Sequence, residues 1–412
     1  MSGRRLQAPK GTFDVLPETG GRRLDLLEVC RDRLRGYSFV ETPIFEETEL
    51  FARGVGESTD IVRKEMFTFE DQAGRSLTLR PEGTAGICRA YAEHGMHKRP
   101  QPVRLWYWGP FFRHEAPQAG RFRQFTQVGA EALGSDDPTV DAELVALLAA
   151  ILGDAGVEGA RLRIASLGAP ETRAEYLEEL RAHLRANEGR LSREVVERID
   201  ANPLRAFDAA DPGTREVMRD APLLIDRLAP DDADHFAEVR ALLDEAGVAY
   251  EVDATLVRGL DYYTRTVFEF TSDALGAQSG VGGGGRYDLL VEELGGPATP
   301  AIGWAAGIER ILLAAGEGKG GPTGPDLFVA RAPGADARTA FGLAQRLRDR
   351  GIAVEMEQAG RSLKGQLKHA DRSGARWVAI VGEEGIDLKD LERGGQRAVA
   401  DAGEIARAVT AP

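Results

Sequence analysis

The stretch Val103–Leu133, VRLWYWGPFFRHEAPQAGRFRQFTQVGAEAL, contains the pattern that decides the fold. Its beginning is rich in aromatic and β-branched residues, which is typical of a strand. Its end, QFTQVGAEAL, alternates well enough to form a returning strand. A polar loop joins the two runs, so the stretch predicts an antiparallel hairpin with a long loop.

Polar side chains lie at regular intervals on this hairpin. Arg113 and Glu115 stand at the predicted end of the first strand, and their spacing of two places them on one face. Gln127, Gly129 and Glu131 repeat that spacing on the returning strand. A solvated sheet face with paired charges is the ordinary explanation for such a pattern. The alternative is a binding surface that combines a guanidinium, an amide and two carboxylates.

The loop favours the second interpretation. It adds Arg121 and Arg123, and the strand before it is too aromatic for a solvent-exposed edge of a sheet. Arginine can bind phosphate or carboxylate through two parallel hydrogen bonds. The hairpin therefore indicates a phosphate-bearing ligand.

Two further stretches carry polar groups beside predicted strands. In TLRPEGTAGICRAY, Glu82 and Thr84 stand between a strand and a helix. Thr84 would serve as a helix N-cap, or the pair would hold a substrate ammonium.

In Leu256–Phe270, LVRGLDYYTRTVFEF, arginines, an aspartate and adjacent tyrosines precede an apolar run. A fold does not need that combination, whereas a site for an anionic, hydrogen-bonding ligand does.

Glycine is dense in SGVGGGGRYD, residues 279–288, and recurs in GWAAGIER, residues 303–310. The first stretch suits a flexible hairpin turn or a place where a ligand approaches the backbone. The second suits a strand that leads into a helix, where Arg310 would ordinarily form a surface ion pair. Taken together, the stretches predict a β-rich pocket with Arg113, Arg258 and Arg310, suited to ATP and an amino-acid-like substrate.

Length, composition and a glycine- and proline-rich linker indicate how the chain is divided into domains. A length of 412 residues predicts two or three domains, and two cysteines without a zinc or disulfide pattern suit a reducing compartment. We expect a cytoplasmic protein, because neither a signal peptide nor a long apolar run is present. Residues 171–247 have helical patterns and predict an inserted domain. A glycine- and proline-rich linker, 319–325, precedes a small α/β domain at 326–412.

The net charge of −14 argues against a general nucleic-acid binder, but the charge is uneven along the chain. Residues 325–412 carry 14 Lys and Arg against 13 Asp and Glu, which leaves 38 against 53 for the remainder. Lys364, Lys368 and Arg372 recur at a spacing of four, so they would share one helix face. This basic stripe is either a solvated face or the footprint of a polyanion.

These motifs resemble those of class II aminoacyl-tRNA synthetases, specifically the histidyl-tRNA synthetase family. Pro43 in GYSFVETPIFEETELF is similar to the dimer-interface motif, FRHEAPQAGRFRQF to the second motif and GWAAGIER to the third. LVRGLDYYTRTVFE and GGGRYD resemble the two histidine-specific signatures. Ala116, Thr126 and Trp304 depart from the commoner residues, at positions outside the presumed substrate contacts.

The resemblance implies an α+β fold. Residues 1–170 and 248–318 would form a catalytic domain with an antiparallel sheet, 171–247 a helical insertion and 326–412 an anticodon-binding domain. It implies a homodimer that uses ATP, with Mg²⁺, to join L-histidine to tRNA-His through histidyl adenylate. We identify no metal-ligating residue.

The resemblance also assigns roles to residues of this chain. Arg113 and Arg258 would be catalytic. The histidine-binding set would be Glu82, Gly83, Thr84, Arg113, Gln127, Glu131, Arg258, Tyr262 and Tyr263. The ATP-binding set would be Arg113, Glu115, Arg121 and Arg310, and the tRNA-binding set Gln118, Arg123, Lys364, Lys368 and Arg372.

Two non-catalytic alternatives exist. Some chains of this kind are regulatory subunits of ATP phosphoribosyltransferase, but those typically lack the anticodon domain and active-site residues. Others are tRNA-sensing modules within larger signalling proteins, and this chain has no such partner domain. The arginines and Glu131 favour the enzyme.

Overall fold

The computed structural model describes residues 6–56, 59–276, 279–316 and 324–410. The chain divides into two compact units. The first takes in the residues up to Gly318 apart from Leu16–Gly21, and the second takes in that short segment and Lys319–Pro412.

The strands, in chain order, are β1 Ser38–Phe39, β2 Phe45–Glu47, β3 Phe67–Glu70, β4 Ser76–Leu79, β5 Val103–Phe112, β6 Gln124–Leu133, β7 Arg161–Ser166, β8 Glu251–Val252, β9 Thr264–Thr271, β10 Gly280–Arg286, β11 Ala301–Gly307, β12 Leu327–Arg331, β13 Val354–Met356, β14 Trp377–Val381, β15 Ile386–Asp390 and β16 Gln396–Val399. The α-helices are α1 Pro17–Arg33, α2 Thr48–Val55, α3 Thr84–Glu93, α4 Pro138–Asp154, α5 Pro170–Ala186, α6 Arg193–Val196, α7 Pro212–Met218, α8 Pro230–Glu245, α9 Leu290–Glu293, α10 Ile308–Ala314, α11 Ala337–Arg348, α12 Leu363–Arg372 and α13 Ala402–Thr410.

An eight-stranded sheet forms the centre of the first unit, in the order β1-β5-β6-β11-β10-β9-β7-β8. Its inner strands are antiparallel, and the β1–β5 and β7–β8 pairs at its edges are parallel. The predicted hairpin is confirmed, because β5 and β6 pair from Val103–Leu133 to Phe112–Gln124. The antiparallel sheet with flanking helices also confirms the predicted α+β class.

The glycine-rich stretch forms β10, a central strand of that sheet, so its interpretation as a hairpin turn is wrong. The reason is close packing against β11. A Cβ on Gly284 would lie 1.9 Å from the carbonyl oxygen of Gly303. The second glycine stretch was predicted correctly, since β11 leads directly into α10.

Residues 171–247 are helical, as the sequence predicts: α5, α6, α7 and α8 follow β7 and precede β8. The helices begin with suitable caps, for example Ser192 before α6 and Asp211 before α7. The segment belongs to the first compact unit. That it is a separate inserted domain stays a prediction.

The second unit has a five-stranded sheet in the order β13-β12-β14-β15-β16. Parallel pairing of β12 with β13 and β14 follows from the helices between them, which is the predicted α/β pattern. Residues 319–323 of the predicted linker lie outside the described residues. In the part of the chain that the structure describes, no helix has the length and apolar character needed to cross a bilayer.

Candidate active site

A cavity of about 910 Å³ opens over the central strands of the large sheet. Side chains from the loop after β5, from β6, from the segment before β9 and from α10 line it. Most of the predicted site residues meet there: Glu82, Gly83, Thr84, Arg113, Glu115, Arg121, Gln127, Arg258, Tyr262, Tyr263 and Arg310. Residues that lie far apart in the sequence thus share one site.

Arg113 and Glu115 lie just beyond β5, so the prediction that both stand on the strand is wrong. The ladder ends at Phe112, and Arg113 adds one further hydrogen bond to the carbonyl of Arg123. His114 then donates its N–H to Glu65, which carries the chain away from the hairpin. The Arg113 guanidinium is held by a 2.8 Å hydrogen bond from Nε to the Pro81 carbonyl.

Arg310 borders the cavity from the first turn of α10. Its Nε donates a 2.6 Å hydrogen bond to the Gly280 carbonyl at the start of β10. The neighbouring Glu309 forms an ion pair with Arg23 instead, at 3.0 Å. Burial, and then the like charge of Arg121, lowers the pKa of Arg310. An anion in the cavity would relieve that repulsion.

Arg258 is anchored through a row of alternating charges. Its Nη1 lies 2.6 Å from Glu269 on β9, and Glu269 lies 2.6 Å from Arg163 on β7. Arg163 in turn lies 3.0 Å from Asp253. Burial is the largest influence on Arg258 and opposes its charge, but the Glu269 carboxylate together with Tyr263 and Tyr262 outweighs burial, so the pKa of this arginine is raised. Sequence reasoning missed Glu269 and Arg163, and only the β7–β9 register brings them together.

Glu131 is fully buried and does not line the cavity itself, but it contacts two residues that do, Thr84 and Tyr287. Thr84 Oγ1 donates to its Oε1 at 2.8 Å, and the hydroxyl of Tyr287 donates to its Oε2 at 2.6 Å. Burial raises the pKa of Glu131 to about 8, although these hydrogen bonds oppose the shift. Tyr287 is a site residue that sequence reasoning did not assign, even though it belongs to the quoted GGGRYD stretch.

Glu82 caps α3. Its carboxylate accepts hydrogen bonds from the N–H groups of Thr84, at 2.8 Å, and Ala85, at 2.9 Å. The N-cap position itself is Gly83, so the expectation that Thr84 would be the cap is wrong. Thr84 points its hydroxyl to Glu131 instead. Burial raises the pKa of Glu82 in spite of the two N–H donors.

An amide and two phenols complete the pocket. The Oε1 atom of Gln127 is buried and has no hydrogen-bond partner among the described residues. Tyr262 and Tyr263 are buried and stand edge to face, with ring centroids 4.8 Å apart. Burial raises the pKa of both tyrosines, so they stay neutral donors. A cavity lined by an unsatisfied acceptor, neutral donors and carboxyl groups suits a polar ligand with N–H groups.

The loop of the hairpin lies at the mouth of the cavity. Arg121 lies 2.9 Å from Glu115. Gln118 belongs to a separate shallow recess next to Arg121, and Arg123 points its Nε at the Glu115 carbonyl at 3.4 Å. The structure therefore separates Gln118 and Arg123 from the residues that line the main cavity.

The basic stripe of the second unit lies on α12. Lys364, Lys368 and Arg372 are exposed on this helix, and its other face buries Gln366 and Ala370. The three cations therefore share a solvent face, as the spacing predicts. The arginines that flank the stripe, 361 and 376, pair with nearby glutamates.

Comparison with known proteins gives a consistent result. The family model of histidyl-tRNA synthetase matches residues 11–311, and that of the anticodon binding domain matches residues 332–400. A histidine–tRNA ligase of Rubrobacter xylanophilus is 51% identical over 417 aligned positions, which cover 97% of this chain and 97% of that protein.

Solved structures agree. The structure of apo S. aureus histidyl-tRNA synthetase has a TM-score of 0.82 at 34% identity, and covers 98% of this chain and 100% of its own. A Bacillus halodurans structure described as an ATP phosphoribosyltransferase regulatory subunit/histidyl-tRNA synthetase has a TM-score of 0.69 at 25% identity. It covers 92% of this chain and 99% of its own.

Proposed function

The chain belongs to the histidyl-tRNA synthetase family, and from that premise we propose how its cavity joins L-histidine to tRNA-His at the expense of ATP. In the first step a carboxylate oxygen of histidine attacks the α-phosphorus of ATP. The bond to pyrophosphate breaks and histidyl adenylate forms. In the second step a hydroxyl of the terminal ribose of tRNA attacks the carbonyl carbon, and AMP leaves.

The observation that carries this proposal is that Arg113, Arg258 and Arg310 line one cavity, and that two further lining residues, Thr84 and Tyr287, bind the buried Glu131. Arg113 holds the α-phosphate and Arg310 the terminal phosphates. Arg258 faces the reacting centre and stabilises the charge that develops on the α-phosphoryl oxygens. Fixed cations at the place where charge develops are a principal source of catalysis in phosphoryl-type transfer.

Glu82, Thr84 and Gln127 receive the substrate ammonium, next to the backbone of Gly83. The unpartnered Gln127 oxygen supports this role because it offers an acceptor where the ammonium needs one. Glu82 keeps two N–H donors of α3 and has further lone pairs for the ligand.

Glu131 and Tyr263 bind the imidazole, with Tyr262 alongside. A pocket that bonds both ring nitrogens rejects analogues that lack them by factors of about 10⁴ or more, because its own polar groups are then left unpaired. The Thr84 and Tyr287 hydrogen bonds fix the Glu131 carboxyl in position and so support this specificity.

Glu115 and Arg121 complete the ATP site at the mouth of the cavity. Among the described residues no group of three or more His, Cys, Asp or Glu side chains could hold a metal ion. A Mg²⁺ ion that accompanies ATP would bind mainly through the phosphates and water, as this ion commonly does, and Glu115 in the cavity lining would be a carboxylate available to it. When bound, Mg²⁺ would neutralise phosphate charge.

Gln118 and Arg123 contact the acceptor end of tRNA, and Lys364, Lys368 and Arg372 contact the anticodon region. The exposure of the α12 cations supports the second assignment. We place the protein in the cytoplasm, where charged tRNA is used.

The protein acts as a homodimer that associates around Pro43. Large apolar side chains are exposed nearby, and their exposed fractions are 54% for Phe39, 42% for Ile44, 51% for Phe45 and 43% for Phe69. Burying such side chains in a partner supports association. Sedimentation of the purified protein tests this, and a monomer at micromolar concentration would contradict it.

ATP–pyrophosphate exchange, run with each standard amino acid in turn, tests the activity. We expect exchange with histidine alone, followed by charging of tRNA-His. A preparation of Arg258→Gln from the same host controls for a contaminating synthetase. Histidine binding without exchange would instead favour the regulatory subunit of ATP phosphoribosyltransferase, which the intact arginines argue against.

A further inference from the structure

The first turn of α8 contacts the large sheet where β9 changes register. Gly285 pairs with Val267, but the next residue, Arg286, pairs with Thr264. Arg265 and Thr266 therefore form a bulge in β9. Such bulges bend a strand and redirect the side chains beside it, and here Tyr262 and Tyr263 come directly before it.

The bulge is strained at Arg265. This residue has a φ of 41° and is the non-glycine residue with positive φ within the described ranges. A long side chain rarely adopts that backbone conformation unless its surroundings enforce it. Its backbone is held on both sides, because its N–H donates to Gly168 at 2.9 Å and its carbonyl accepts from Leu167 at 2.7 Å.

Asp232 supplies the remaining restraint from α8. Its Oδ1 accepts a 3.0 Å hydrogen bond from Arg265 Nε, and its Oδ2 accepts bonds from Ala169 N–H at 2.8 Å and Thr172 Oγ1 at 3.0 Å. Asp232 is 2% exposed. One buried carboxylate thus joins the first turn of α8, the start of α5 and the bulge.

The next turn of α8 restrains the strand on the other side of the bulge. His235 Nε2 lies 2.9 Å from Asp141, which binds the fully buried Arg286 through distances of 2.7 and 3.0 Å. Tyr287, which binds Glu131, follows Arg286 in the chain. The start of α8 is therefore linked to both sides of the proposed imidazole site.

We propose that Asp232 and Arg265 are a positioning pair for the histidine pocket. They hold the β9 bulge in the conformation that presents the Tyr263 ring to the imidazole. Arg173 adds to this by donating a 3.1 Å hydrogen bond to the Tyr263 carbonyl. The pair does not touch the substrate. This inference rests on the proposed function, because it concerns the same site.

The test compares Asp232→Asn, Arg265→Gly and Arg265→Lys with the wild-type protein in ATP–pyrophosphate exchange. Glycine accepts the backbone conformation but lacks the cation. We expect Arg265→Gly and Asp232→Asn to raise the KM for histidine by about tenfold or more and to leave the KM for ATP within about threefold, since only the histidine side is displaced. Arg265→Lys retains the charge and should recover part of the histidine affinity.

The matched control is Asp234→Asn, an exposed aspartate on the same turn of α8, for which both KM values should stay at the wild-type level. A merely structural role would lower the melting temperature and leave the KM for histidine unchanged, which would overturn the proposal. A parallel rise in both KM values would overturn it as well. If Arg265→Gly does not fold, the KM values of Asp232→Asn and Arg265→Lys still decide whether the pair positions the histidine pocket. Absence of exchange in the wild-type protein would refute the proposed function rather than the positioning role.

Discussion

The hydroxyl of Tyr287 and the carboxyl of Glu131 lie 2.6 Å apart, where β6 pairs closely with β11. A Cβ on Gly303 would lie 1.5 Å from the same carboxyl oxygen. Burial here raises the pKa of Glu131 to about 8. Without a ligand the carboxyl is therefore mostly protonated at neutral pH.

This pKa makes stability depend on pH. The pKa of Glu131 rises from 4.5 in the unfolded chain to about 8 in the folded protein. The folded state binds the proton more tightly than the unfolded chain does. The contribution of Glu131 to the free energy of unfolding is therefore complete below pH 4.5 and is lost as the pH rises through 8. Relative to Glu131→Gln, the wild-type free energy of unfolding should fall by up to about 1.4 kcal/mol per pH unit in that window.

Urea denaturation of both proteins at several pH values between 5 and 9 measures this difference. Glu70→Gln, a substitution of an exposed carboxylate on β3, controls for loss of a charge. If the free energy of unfolding changed with pH in the same way for wild type and Glu131→Gln, the claim that burial keeps this carboxyl protonated would be contradicted.

Arg258 belongs to the predicted histidine-binding set, but its main effect should be on the rate of adenylate formation. Replacing Arg258 with Gln removes the cation held against Glu269 at 2.6 Å. We expect the kcat of exchange to fall by about 10²–10³, the usual effect of losing one transition-state donor, with a small change in the KM for histidine. Arg161→Gln, which alters an exposed ion pair with Asp273, should keep the wild-type kcat. A higher KM at unchanged kcat would assign Arg258 to ground-state binding.

The sequence predicted the elements of the site better than its contacts. Aromatic and alternating residues identified the hairpin Val103–Leu133, because these patterns follow from local strand geometry. The ion pair of Arg163 with Glu269 joins residues 106 positions apart, and only the register of β7 against β9 creates it. No periodicity in either strand indicates which residues will be neighbours.

The glycine stretch shows the same limit. Local propensity suggests a turn, since glycine weakens strands, but β10 needs glycine for its approach to β11. The basic stripe on α12 was predictable because residues four apart on a helix share a face. The bulge at Arg265 was not, because an arginine gives no sign of positive φ.

Because β10 packs closely on β11, we expect a single added methyl group to lower the free energy of unfolding strongly. In Gly284→Ala the new Cβ would lie 1.9 Å from a backbone oxygen, which cannot move without disturbing the central sheet. We expect a loss of about 3 kcal/mol or more in the free energy of unfolding, or failure to fold. Gly153→Ala on α4 is the control, because nothing lies within 4 Å of its Cβ position. That variant should gain up to about 1 kcal/mol, and similar losses in both variants would refute the packing argument.

The exposed cations of α12 predict a separable effect on tRNA binding. Neutralising phosphates with cations releases counterions, and each such contact contributes roughly 0.7–0.9 to the slope of log affinity against log salt concentration. Replacing Lys364, Lys368 and Arg372 with Gln should therefore reduce that slope by about 2 or more and weaken tRNA-His binding.

Exchange with histidine should stay at the wild-type rate, since α12 belongs to the second unit and the cavity to the first. Filter binding at roughly 50–200 mM salt gives the slope. The control changes the exposed Arg31 and Arg35 of the first unit to Gln. An equal loss of slope in that control would mean that the stripe on α12 is only a solvated face.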